Sequence, residues 1–105
     1  VLLTEIFANQ KLTTEGMQKP AREIWQTDTD WVSEADVLIA GVTTPSLGVG
    51  YEIAKAEEWG KPVLALYRPQ KDRRLSAMVL GGPGTTVVEY ETLGEATQHI
   101  EALLR

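Results

Sequence analysis

The sequence predicts an α/β fold built on an open parallel sheet, and three observations carry that expectation. Four apolar, β-branched runs occur along the chain, "VLLTEIF", "DVLIAGV", "PVLALY" and "TVVEY". The stretches between them place apolar residues at helical spacing, so strands and helices alternate. The two middle runs are almost continuously apolar, the pattern of strands covered on both faces by helices, which predicts that they are central. A length of 105 residues fits one modest domain with a small core.

The first run predicts a strand near Val1. A helix is then expected from about Pro20, a residue suited to a first helical turn, through "AREIWQTDTDWVSEA". Steps of about 100° put Ile24, Asp28, Trp31 and Ala35 on one stripe of that helix, with Val32 flanking and Asp30 nearly opposite. Asp28 is therefore expected to point inward. After the strand in "DVLIAGV", a second helix is expected from about Gly50 to Gly60, where glycine supplies a left-handed cap before Pro62 opens the next strand. The stretch "RPQKDRRLSAMVLGGPGTT" reads mostly as loop, with a short helix over "LSAMVL". The last helix, from about Gly94 to Arg105, carries Ala96, Ile100, Leu103 and Leu104 on one face and reads as a packing helix.

Composition removes several function classes. Fifteen acidic against ten basic residues give a net charge of -5, and the longest basic cluster is "KDRR", so a general nucleic-acid surface is not expected. Without cysteine there are no disulfides and no thiolate metal ligands. No apolar run approaches the roughly eighteen residues a membrane span needs. The start "VLLTEIFANQ" has none of the features of a signal peptide. These readings favour a soluble, cytoplasmic protein.

In an open α/β sheet the ligand crevice lies beyond the carboxyl ends of the strands, and "TTPSLGVG" leaves such an end directly before a helix. Small residues there let backbone N–H groups approach an anion, and Ser46 adds a hydroxyl. The run lacks the third glycine of a dinucleotide fingerprint and the Gly-Lys-Ser/Thr of a phosphate loop, so a plain glycine-assisted turn stays open. Glu52 has two readings as well: an acidic residue that suits the helix dipole, or a reacting carboxylate. Asp28 is costly to bury unless it is paired, hydrogen-bonded or turned toward a cleft. Two carboxylates at one crevice suit glycosidic chemistry, in which one attacks the anomeric carbon while the other manages protons. His99 and the three tryptophans read as surface, edge or core residues, and an arginine of "KDRR" is within the reach of an anionic ligand.

The stretch "DTDWVSEADVLIAGVTTPSLGVGYEIAKA", followed by "KPVLALYRPQ" and "RLSAM", closely resembles the 2'-deoxynucleoside 5'-monophosphate N-hydrolases of the wider nucleoside 2-deoxyribosyltransferase family. The resemblance spans nearly the whole chain and is strongest from Asp28 to Met78. It implies a flavodoxin-like, Rossmann-like sheet with helices on both faces. It also implies a catalytic pair: Glu52 as the nucleophile on C1' of a deoxynucleoside 5'-monophosphate, and Asp28 as the carboxylate that orients it and handles the proton of the departing base. Ser46, Gly48 and Gly50 match the loop that receives the 5'-phosphate. Ser76 matches a serine that reaches the phosphate in a neighbouring subunit's site, and Met78 a residue of the shared pocket, so a homodimer is implied. The family begins with a further strand, a glycine-rich loop and a helix. On that pattern residues 1–105 read as one domain that lacks its N-terminal strand and helix, and the segment alone is not expected to be a competent enzyme. Two other activities fit the same residues: a deoxyribosyltransferase that exchanges bases, and a nucleotide-binding module without turnover.

Overall fold

The computed structural model describes residues 19–104. The expected strand "VLLTEIF", and the expectation that a sheet member is lacking beside it, lie outside the described residues.

Three strands follow in order, β1 (Leu38–Gly41), β2 (Val63–Tyr67) and β3 (Thr85–Glu89). They pair in parallel as β1-β2-β3, with Leu38 opposite Val63 and Val63 opposite Thr85. All three coincide with predicted apolar runs. β2 is central, as expected, whereas β1 pairs only with β2 among the described residues. Both nevertheless have two buried faces. Leu38 and Ala40 join Val63 and Ala65 in the core with Val32, Ile53 and Ala56, while Ile39 and Leu64, pointing the other way, are equally enclosed.

Helix α1 (Ala21–Glu34) starts one residue later than predicted, because Pro20 is its N-cap and the Pro20 carbonyl accepts the first helical bonds from the Glu23 and Ile24 N–H groups. Its buried face is turned from the predicted stripe. Thr29 and Val32 are its buried residues, and Ile24, Asp28 and Trp31 are half-buried. Thr29 is not part of that stripe, but its hydroxyl donates to the Trp25 carbonyl at 2.8 Å and so enters the core satisfied.

Helix α2 (Leu47–Glu58) ends as the sequence predicts. Gly60 takes φ 71°, its N–H donates to the Glu57 carbonyl, and the Lys61 N–H donates to the Ala56 carbonyl at 2.8 Å. These two bonds form a Schellman cap, which only a residue free of a Cβ penalty closes cheaply. The short helix α3 (Ala77–Leu80) appears within "LSAMVL" as expected. Helix α4 (Leu93–Leu104) buries Ala96, but Leu103 and Leu104 of its apolar face stay partly exposed. His99 is exposed, Trp25 and Trp59 sit at edges, and no helix among the described residues is long and apolar enough to cross a membrane.

Candidate active site

Of the residues the sequence singles out, Ser46, Gly48, Gly50 and Glu52 lie in the first two turns of α2 or cap it, and this helix begins a turn earlier than the sequence predicts. Ser46 is its N-cap: the side-chain oxygen accepts the Val49 N–H at 3.2 Å, and the Ser46 carbonyl accepts the Gly50 N–H at 3.1 Å. The cap offsets about half of the roughly 2 kcal/mol that the two glycines cost a helix, and burial of Ile53 and Ala56 supplies the rest, so "LGVG" winds into the first turn rather than forming a loop. Gly48 and Gly50 are therefore helical, and Glu52 lies in the second turn, beyond the dipole position considered for it.

Neither glycine is demanded by packing. Among the described residues, a Cβ at Gly50 would meet nothing within 4 Å, and one at Gly48 only the Ser46 Oγ at 3.9 Å. What they leave is a bare helix end whose Leu47 and Gly48 N–H groups have no acceptor within the helix, an arrangement suited to an anion.

Glu52 is only 7% exposed, a rare condition for a glutamate. At about 100° per residue it points between Tyr51 and the core residue Ala56, and shares its flank of α2 with Gly48. That flank adjoins α1, since α1 packs on α2 and the Trp25 Nε1 donates to the Tyr51 hydroxyl at 3.1 Å. Asp28 lies on α1, three residues beyond Trp25. Its Oδ1 is fully enclosed and accepts no hydrogen bond from the described residues, and burial pushes its carboxyl above the ordinary aspartate value.

The opposite flank of α2, carrying Gly50, Ile53, Ala54 and Glu57, walls a cavity of about 600 Å³. The cavity lies beyond the carboxyl end of β1, where Thr43 Oγ1 accepts the Arg68 N–H and so ties the loops after β1 and β2 together. Ser46, Gly50, Ser76 and Met78 all line it, and so does Arg74 of the "KDRR" run. Like Ser46, Ser76 caps a helix, accepting the Met78 N–H at 3.2 Å, so each hydroxyl keeps its proton to donate. The predicted residues thus fall on two flanks of one helix start. Gly48 and Glu52 lie toward α1, whereas Gly50, Ser76 and Met78 lie around the cavity, and Ser46 stands between them.

No family model matches the chain. Curated relatives do. A 5-hydroxymethyl-dUMP N-hydrolase of Homo sapiens is 44% identical over 108 residues, covering 98% of this chain and 59% of its own length. The Mus musculus protein of the same name is 39% identical over 105 residues, covering 98% of this chain and 60% of its own. A protein of Syntrophotalea carbinolica, provisionally named 2'-deoxynucleoside 5'-phosphate N-hydrolase 1, is 47% identical over 81 residues, covering 77% of this chain and 57% of its own. The chain is homologous, over nearly its whole length, to the 2'-deoxynucleoside 5'-phosphate N-hydrolases. It spans about three-fifths of the length of these relatives. A solved structure of the Clostridium botulinum CMP N-glycosidase BcmB matches with a TM-score of 0.66 at 23% identity, over 76% of this chain and 73% of that one. This likeness bears out the α/β fold.

Proposed function

We propose that the protein hydrolyses the N-glycosidic bond of 2'-deoxynucleoside 5'-monophosphates, giving a free base and 2-deoxyribose 5-phosphate. The observation that carries the reading is a buried Glu52 on α2 beside α1, the helix on which the Oδ1 of Asp28 is enclosed without a hydrogen bond from the described residues. A glutamate kept out of bulk water is a stronger nucleophile, and a carboxyl whose burial favours its protonated form is suited to proton transfer. One Glu52 oxygen bonds to C1' as the bond from C1' to the base nitrogen breaks. The bonding pair leaves with the base, and Asp28 orients Glu52 and handles the proton the base takes up. Water then attacks C1', giving one proton back to Asp28 as the ester to Glu52 breaks, and both carboxyl groups return to their starting states. No metal or redox step is involved. The named activities of the mammalian relatives lie in the same substrate class.

Ser46, Gly48 and Gly50 receive the 5'-phosphate at the bare start of α2. Ser76 and Met78 lie on the flank away from Glu52, so they serve the site of a second subunit more readily than their own. Leu47 at 96% and Met78 at 86% exposure flank the cavity, as apolar residues do where a homodimer closes over them. A cysteine-free acidic chain accords with a cytoplasmic setting.

The direct test incubates the full protein with a panel of deoxynucleotides and identifies the released bases. Release of base without an added acceptor supports the hydrolase, whereas release that requires an acceptor base and yields an exchanged nucleoside marks a transferase. Binding without release overturns both. Ser46→Ala is expected to cost about 1 kcal/mol of stability through the lost cap. It should also narrow the preference in kcat/KM for monophosphates over unphosphorylated nucleosides, and an unchanged preference removes Ser46 from the phosphate site. Mixing Glu52→Gln with Ser76→Ala subunits should regain activity above either parent, because some sites then carry neither defect. Failure to complement after demonstrated subunit exchange argues against a shared site.

A further inference from the structure

Glu57, on the cavity flank of α2, is absent from the chemistry above, yet its carboxylate makes the longest-range side-chain tether recorded among the described residues. Its Oε2 accepts the Gly84 N–H at 3.0 Å and the Thr85 hydroxyl at 2.9 Å. Gly82 and Gly84 pack directly on the same side chain: a Cβ at Gly82 would collide with the carboxylate, and one at Gly84 would press on Glu57 Cγ at 3.1 Å. Gly84 is held from its other side as well, since its carbonyl accepts the Val63 N–H at 3.0 Å. "GGPGT" therefore leaves α3 in a turn moulded on Glu57. That turn is the C-terminal anchor of the segment that carries Ser76 and Met78. The N-terminal anchor is Tyr67, whose hydroxyl donates to the Arg73 carbonyl at 3.3 Å.

We propose that Glu57 is a positioning residue for phosphate recognition: by clamping the Gly82–Thr85 turn to α2 it fixes where α3 presents Ser76. The proposal rests on the function read above, in which Ser76 donates to the 5'-phosphate. α3 itself has only four residues and no fully buried residue; Val79, with Leu75 just before it, rests half-buried on the core, so a helix this short has little packing of its own to fix its orientation. The tethers at its two ends complete what the Leu75 and Val79 contacts begin. A neutral glutamine retains an amide oxygen with two lone pairs and can accept both donors, whereas alanine can accept neither.

The test compares the full-length wild-type protein with its Glu57→Ala and Glu57→Gln variants in two measurements. In hydrogen exchange without substrate, Glu57→Ala should lose protection at the Gly84 amide and Glu57→Gln should keep it. In steady-state kinetics, Glu57→Ala should raise KM for a deoxynucleoside 5'-monophosphate roughly tenfold, the scale of one misplaced charge-assisted hydrogen bond. Its kcat, and its use of the unphosphorylated deoxynucleoside, should change little. Glu57→Gln should restore KM. Unchanged Gly84 exchange in Glu57→Ala overturns the clamp, and faster exchange with unchanged KM overturns its link to recognition. Equal losses on both substrates reduce Glu57 to a purely structural role. Failure of the underlying function looks different: the wild-type protein itself then uses phosphorylated and unphosphorylated substrates equally, and the phosphate role of Ser76 falls together with that of Glu57.

Discussion

Glu52→Gln is expected to abolish turnover, by on the order of 10³-fold or more, while nucleotide binding largely survives. The substitution keeps the volume of a side chain that is 7% exposed, so the packing of α2 against α1 has little reason to change. It replaces an anionic oxygen by an amide, which forms no stable ester with C1'. Its effect should therefore fall on kcat and not on the affinity for the monophosphate. Single-turnover base release, set beside equilibrium binding of the same nucleotide, separates the two quantities. Near-normal release would remove Glu52 from the chemistry. Loss of binding equal to loss of rate would make it a substrate-positioning residue.

How much of this site is legible in the sequence depends on how local each feature is. β1 and β2 are continuous apolar runs, and "WGKP" encodes its Schellman cap within four residues, so both are read directly. The start of α2 is misread because "SLGVG" has the glycine content of a loop. The signal for the helix is the spacing of Val49, Ile53 and Ala56 behind a serine able to cap, and it outweighs two glycines whose cost is about 1 kcal/mol each. The turned face of α1 has a similar cause: a threonine bonding back to its own helix counts as apolar in the core, and periodicity alone does not score it so. The Glu57 clamp joins residues 27 and 28 apart along the chain, and no local pattern announces such a pair. Its only trace is the glycine-rich "GGPGT", which reads as a turn without showing what the turn is moulded against.

Asp28→Asn should separate stability from activity in opposite directions. In the folded chain burial raises the Asp28 carboxyl above its ordinary value, with no hydrogen bond to Oδ1 from the described residues to offset the loss of water. The fold therefore favours the protonated, neutral form. That contribution to stability is fully present below the unfolded-state value of about 3.9 and is lost as pH rises through the raised folded-state value. Asparagine is neutral at every pH and avoids this loss. The variant should match the wild-type protein in denaturant midpoint near pH 3.5, gain on it as the pH rises above about 4, and hold that gain at pH 7. Base release should meanwhile fall by at least about 10²-fold, because the amide can neither supply nor accept the proton. Denaturant titrations at several pH values and initial rates on a monophosphate provide the two readouts. A variant that is less stable at pH 7 than at pH 3.5, relative to the wild-type protein, would show that the Asp28 charge is welcome in the fold. A variant that releases base at near-normal rate would leave α1 a scaffold for α2 and no more. Greater stability joined to lost turnover would mean that the fold tolerates a poorly solvated carboxyl at Asp28 because the reaction uses it.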